Sequence, residues 1–177
     1  MIDFQSLPFR KGVGICLFNS SGQIFVAERR DSRGAWQMPQ GGVQKEEIPE
    51  NAVFREMKEE IGTDKAVIVA KIPEALRYEF PDWLQNRRMA SDGMGGVIFR
   101  GKYRGQEQTW FALKFTGDDS EIDLSGEADP EFPEFIAWKW VELSEVLDLI
   151  VPFKKPVYEK IVEAFASVAE GIRAGRI

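Results

Sequence analysis

Residues 41–63 read GGVQKEEIPENAVFREMKEEIGT, and the spacing within this stretch predicts a loop, a helix and a second loop. Apolar side chains at Val53, Phe54, Met57 and Ile61 recur at helical intervals, Pro49 suits a first turn and Gly62 a helix end. On such a helix Glu56, Glu59 and Glu60 stand at i, i+3 and i+4, so their carboxylates share one side, next to the apolar stripe. Like charges so placed cost roughly 0.2–0.5 kcal/mol per pair. A hard divalent cation among them offsets that cost, and oxygen ligands suit magnesium or manganese. Taken alone, EMKEE at 56–60 is also a common solvated helix face. The flanking residues have to decide between the two.

Upstream, residues 12–28 hold two apolar strand-like runs around Asn19-Ser20-Ser21-Gly22, which predicts a hairpin. Downstream, Val67–Ala70, Leu76–Phe80, Thr109–Phe115 and Ile136–Val141 read as strands of a mixed sheet. Ser144–Ile150 and residues 156–172 read as helices. The second carries Val157, Ile161, Phe165, Val168 and Ile172 along one stripe, the pattern of core packing. Between Gln85 and Gln106, Arg87, Arg88, Arg100, Lys102 and Arg104 face the single acid Asp92 among five glycines, which predicts a mobile basic arm. Between Gly117 and Glu134 the balance inverts, with eight acids and no base.

With 177 residues and 44% hydrophobic content, one core and one domain over 1–177 are expected. The absence of His excludes His-dependent triads, His zinc sites and His general bases, so acid–base or metal chemistry must rest on carboxylates. Cys16 is the only cysteine, which excludes an intrachain disulfide and fits a reducing compartment. No apolar run is long enough to span a bilayer and the N-terminus lacks the stretch of a secretory signal. A cytoplasmic protein without membrane association is expected, and nothing in the sequence marks an obligate protein partner. A net charge of −6 argues against general coating of nucleic acid, which requires many phosphate-neutralising cations.

Gly41, five residues, Glu47, seven residues and then REMKEEIG at 55–62 resembles the signature of the Nudix hydrolases at its Gly, Glu, Arg-Glu, Glu-Glu and Gly positions. Two departures are Thr63, where the family usually has an aliphatic residue, and Glu46, where Gly is common. The resemblance implies an α/β/α sandwich around a mixed sheet, with the signature as loop–helix–loop. It implies a metal site of Glu56, Glu59, Glu60 and the Gly41 carbonyl, holding Mg2+ with Mn2+ or Zn2+ as substitutes. Glu56 is implied as the general base, and Arg55 is expected to hold the loop by pairing with Glu47.

Within that family the chain looks most like the RNA pyrophosphohydrolases and diadenosine tetraphosphate hydrolases. The likeness runs through Phe9-Arg10, residues 36–42 (WQMPQGG), Leu76-Arg77-Tyr78, residues 103–106 (YRGQ) with Trp110-Phe111, Pro133-Glu134-Phe135, Trp138-Lys139-Trp140 and residues 151–155 (VPFKK) with Val157-Tyr158. The segment at 91–99 is longer than the usual pattern. Carried over by position, Glu134 is a further metal carboxylate, Arg10 and Arg30 meet substrate phosphates or the first base, and Phe153 is a platform for a base. Tyr78 and Lys154 are expected at the cleft, and Trp36, Trp138 and Trp140 in the core. A guanidinium fork suits phosphate and a flat ring suits stacking.

The expected reaction is removal of pyrophosphate from a triphosphorylated RNA 5′ end. Asymmetric hydrolysis of dinucleoside polyphosphates is the alternative, since the same residues serve both. A non-catalytic nucleotide-binding module, the third reading, predicts eroded signature acids, and here Glu56, Glu59 and Glu60 are all present.

Overall fold

The computed structural model describes residues 4–85, 102–125 and 133–177. Residues 86–101 of the basic arm and 126–132 of the acidic segment lie outside the described residues.

Eight strands form one mixed sheet: β1 (Phe9–Phe18), β2 (Ile24–Arg29), β3 (Trp36–Gln37), β4 (Gln40–Gly42), β5 (Ala66–Lys71), β6 (Leu76–Glu79), β7 (Gly105–Phe115) and β8 (Phe135–Val141). The main order is β3-β2-β1-β7-β5, with β8 on β2, β4 on β1 and β6 on β7. β1 and β7 run parallel from Phe9 opposite Gly105 to Phe18 opposite Lys114, and the other pairs are antiparallel. The expected hairpin joins β1 to β2, and Asn19 Oδ1 closes its turn by accepting from the N–H groups of Ser21 and Gln23, both at 3.0 Å.

Side chains of the central strands alternate between two cores, as the two-residue period requires. Val13, Ile15, Leu17, Phe111 and Leu113 pack under α1 (Pro49–Ile61), together with Ala52, Val53, Met57 and Ile61. Cys16, Phe18, Trp110 and Ala112 face the other way, toward a C-terminal helix that buries Val157, Ile161, Phe165, Val168 and Ile172. Before that helix the chain makes two four-residue helices, α2 (Asp82–Gln85) and α3 (Val146–Leu149), and α4 itself spans Lys155–Arg173. The result is helix, sheet, helix, the expected α/β/α arrangement. Trp138 and Trp140 sit half-buried against the α1-side core and Trp36 against the other.

Three boundaries differ from the sequence reading. β7 begins at Gly105, four residues before the expected start, because Gln106 and Gln108 are polar yet buried. β3 and β4 are only two and three residues long and flank Pro39, so they carry no alternating pattern to read. The expected helix at Ser144–Ile150 is a 3-10 turn, Leu143–Glu145, followed by α3. α1 ends at Gly62 with φ +77°, the left-handed conformation that glycine adopts without strain. Glu46 adopts φ +65° on the way into α1, and it is the position where the family commonly has Gly.

Candidate active site

The first residues of β1 and β7, β6, the short β4, the C-terminal half of α1 and the turn before α4 enclose a cavity of about 420 Å³. Its lining includes Glu56, Glu59, Glu60 and Glu134 on one wall, Arg10 and Arg29 beside them, and Tyr78, Phe80, Phe153 and Lys154 opposite.

Close packing of backbone against side chain shapes the acidic wall. A Cβ at Gly41 would overlap the Glu56 carboxyl group, and one at Gly42 would overlap the Arg10 guanidinium. Both approaches use the room left by a missing Cβ, and a larger residue at either position would displace the carboxyl or guanidinium group. The Gly41 carbonyl oxygen lies over Gly12, 2.6 Å from where a Cβ would stand. Arg55 ties the loop to the helix: its Nε and Nη2 each donate to Glu47 at 2.8 Å, and Nη2 also reaches the Gly42 carbonyl at 2.8 Å. Its Nη1 donates to Glu56 at 2.8 Å and to Glu59 at 3.2 Å.

Glu56 and Glu60 are each only 9% exposed. Burial holds the Glu56 carboxyl above its ordinary range against the opposing pull of Arg55. Glu60 is pushed up further, first by burial and then by the charges of Glu134 and Glu56, while the Gln40 N–H donates to it at 3.2 Å. Glu134 reaches this group from the segment before β8 and pairs with Arg29 Nη1 at 3.0 Å. Arg29, in turn, is gripped by Asp31 through Nε at 2.9 Å.

The donor set fits a hard divalent cation: four carboxylates and a backbone carbonyl, with Glu59 raising the proton affinity of Glu56, and Glu134 and Glu56 that of Glu60. Among the described residues no three acids already close on one point. Arg55 holds Glu56 and Glu59, and Arg29 holds Glu134, so the guanidinium groups occupy oxygens that a cation would use.

The opposite wall is aromatic and cationic. Phe153 lies 5.9 Å from Tyr78 and 6.3 Å from the exposed Trp83, centroid to centroid. Lys154 is buried, with Nζ 3.1 Å from Gln37 Oε1 and 5.5 Å from the Tyr78 ring centre. Burial and then the Arg29 charge lower its pKa to about 7.

The structure therefore places Gly41, Glu56, Glu59, Glu60, Glu134, Arg10, Tyr78, Phe153 and Lys154 around one cavity, with Arg55 in its wall and Glu47 behind Arg55. Arg30 is not among the lining residues. It is exposed at the end of β2, and its neighbour Arg29 points inward. The physical reason is strand alternation: β2 sends successive side chains to opposite faces, so Arg29 follows Phe25 and Ala27 to the α1 side, and Arg30 lies just beyond the strand. Sequence reasoning also missed Gln40 and Gln106, both on the lining. A neutral amide carries no charge signal that would have marked them.

The NUDIX domain profile matches residues 8–161. An RNA pyrophosphohydrolase of Rhodospirillum rubrum is 47% identical over 163 residues, covering 92% of this chain and 90% of its own. A chloroplastic Nudix hydrolase 26 of Arabidopsis thaliana is 46% identical over 90% of this chain and 70% of its own. Among solved structures, the E. coli dihydroneopterin triphosphate pyrophosphohydrolase overlays 89% of this chain and 99% of its own, with a TM-score of 0.62 at 18% identity. A C. elegans Ap4A hydrolase gives 0.59 at 18% identity over 89% and 98%. At such identities these two likenesses speak for the fold alone. A profile matched from β1 into α4, together with relatives that align along most of both chains, agrees with the sheet and the acidic helix described above: this chain belongs to the NUDIX hydrolases, enzymes that act on pyrophosphate bonds.

Proposed function

We propose that this enzyme removes pyrophosphate from the 5′ end of triphosphorylated RNA, using Mg2+, with Mn2+ or Zn2+ as substitutes. The observation that carries the reading is a single cavity with buried carboxylates on one wall and cations and aromatic rings on the other, a shape suited to a phosphate chain joined to a nucleoside. Relatives named RNA pyrophosphohydrolase over nearly their whole length support the choice of substrate.

In the proposed reaction a water oxygen bonds to phosphorus, the bridging P–O bond breaks, and pyrophosphate leaves a 5′-monophosphorylated end. Glu56 takes the proton of that water. Its raised proton affinity makes it a stronger base than an exposed glutamate. Glu56, Glu59, Glu60, Glu134 and the Gly41 carbonyl are the residues that would hold the metal, which would supply charge compensation for the phosphates and acidify a water. Arg10 lines the cavity and Arg30 follows β2, and both are assigned to the phosphate oxygens, while Arg29, engaged through Nε and Nη2 by Asp31 and through Nη1 by Glu134, holds that acid in place. Tyr78 and Phe153 offer flat faces to a base. Lys154, whose pKa burial lowers to about 7, gains proton affinity when a phosphate arrives beside it.

The test is a side-by-side comparison of kcat/KM for 5′-triphosphorylated RNA and for diadenosine tetraphosphate in magnesium. The reading expects RNA to be preferred, with pyrophosphate and monophosphorylated RNA as products. Preference for the dinucleotide would reassign the enzyme to clearance of dinucleoside polyphosphates.

A further inference from the structure

Two buried glutamines, Gln106 and Gln108, and the half-buried Gln40 form a chain of amides, of which Gln40 and Gln106 line the cavity. Gln108 Nε2 donates to Gln106 Oε1 at 2.7 Å and to Gln40 Oε1 at 3.1 Å. Both flanking carbonyls are thereby used, so each flanking amide turns its N–H donors outward. The Gln40 amide meets the Tyr78 hydroxyl, one of the interactions acting on that phenol. The Gln106 side chain is only 6% exposed and lines the cavity, so its amide N–H is open to what fills that cavity. A donor that a neighbour already holds in place at a cavity wall needs little reorganisation to meet an acceptor there.

Strand register shows what it is placed to meet. Gln106 stands directly opposite Arg10 on β1 and directly opposite Tyr78 on β6, so the three side chains form one row across neighbouring strands on one face. Neighbouring strands lie about 4.8 Å apart. Gln106 therefore sits midway between a guanidinium and the ring that leads to Phe153. The junction of phosphate chain and nucleoside falls at that position.

We propose that Gln106 is a substrate-contacting residue, donating its side-chain N–H to a phosphate oxygen at the nucleoside end of the phosphate chain, with Gln108 acting as a positioning residue that fixes which end of the amide faces the cavity. This deepens the proposed function by assigning the retained phosphate its own neutral donor, one that reads an acceptor without adding charge beside the four acids.

The experiment measures binding by titration calorimetry of GTP and of inorganic tripolyphosphate in magnesium, for wild type, Gln106→Met and Gln106→Glu. Tripolyphosphate has no ribose or base, so it isolates the phosphate contact. Loss of one hydrogen bond to a charged acceptor should weaken both probes about tenfold or more in Gln106→Met. Gln106→Glu keeps the oxygen that accepts from Gln108 but presents an anion to phosphate, so it should lose at least as much. A merely structural role would give the opposite ranking, with Gln106→Glu near wild type and Gln106→Met impaired. That ranking would overturn the proposal, as would unchanged tripolyphosphate affinity in both variants. The magnesium-induced rise in Tm should be the same in Gln106→Met as in wild type, which shows that the fold and the acidic wall survive. Since binding is read without turnover, an enzyme inactive on RNA would sink the proposed reaction while these affinities still judge the Gln106 contact.

Discussion

Helices α1 and α4 flank the same sheet and follow the same amphipathic pattern, yet they spend their buried positions differently. α4 buries Val157, Ile161, Phe165, Val168 and Ile172 and leaves Glu159, Glu163 and Glu170 exposed. α1 buries Val53, Met57 and Ile61 but also Glu56 and Glu60. A carboxylate held out of water is destabilising unless it is paired, and α1 pairs Glu56 with Arg55 while Glu60 receives the Gln40 N–H and faces two other acids, Glu56 and Glu134. The helix that serves stability keeps its charges in solvent. The helix that serves chemistry keeps them where a cation and a phosphate chain meet.

The largest expected effect breaks the chemical side of this contrast. Glu56→Gln should lower kcat/KM on the preferred substrate by roughly 10²–10⁴-fold, the usual contribution of a positioned base, with little change in Tm. The converse belongs to α4: Phe165→Ala, at a position 1% exposed, should cost about 3–5 kcal/mol of stability in denaturant unfolding. Its activity per folded molecule should stay near wild type.

Lys154 sharpens the comparison from the opposite wall. Its folded pKa of about 7 lies below the ordinary 10.5, so between those values the unfolded chain binds more protons than the native one. Stability from this group therefore rises as pH climbs from about 7 toward 10.5, and its full penalty is present below about 7. Lys154→Met should flatten that part of the stability profile and weaken phosphate binding. The smallest effect is expected at Glu46, whose φ of +65° strains an L-residue. Glu46→Gly should raise stability by about 0.5–1 kcal/mol, the relief of left-handed strain less the extra entropy of glycine in the unfolded chain.

The sequence exposed the fold where side chains repeat with a period. The stripe of α4, the hairpin of β1 and β2, and the helical spacing of 53–61 all reappear in the structure. It hid β3, β4 and the first third of β7, because strands of two or three residues hold no period and buried glutamines look like surface. The acidic part of the site was legible because three of its acids, Glu56, Glu59 and Glu60, share one short motif, whereas Glu134 stands apart in sequence. Arg29 and Arg30 are adjacent and identical, so residue type does not mark which one lines the cavity, and the Glu134 that holds Arg29 there lies more than a hundred residues away. Gln40 and Gln106 are joined through Gln108 from strands 68 residues apart, a relation visible only once β1 brings β4 and β7 together.

The most direct test of the account is the magnesium dependence of Tm at neutral pH for wild type and Glu60→Gln. Glu60 holds its proton more tightly in the native state, so its burial costs stability as pH rises above the unfolded value of 4.5 and is fully felt above the folded pKa. The account predicts that Glu60→Gln melts higher than wild type without metal, and that magnesium raises the wild type while leaving Glu60→Gln with little response. An equal magnesium-induced shift in both proteins, with no gain from the substitution in the absence of metal, would contradict the claim that α1 buries its acids to hold a cation.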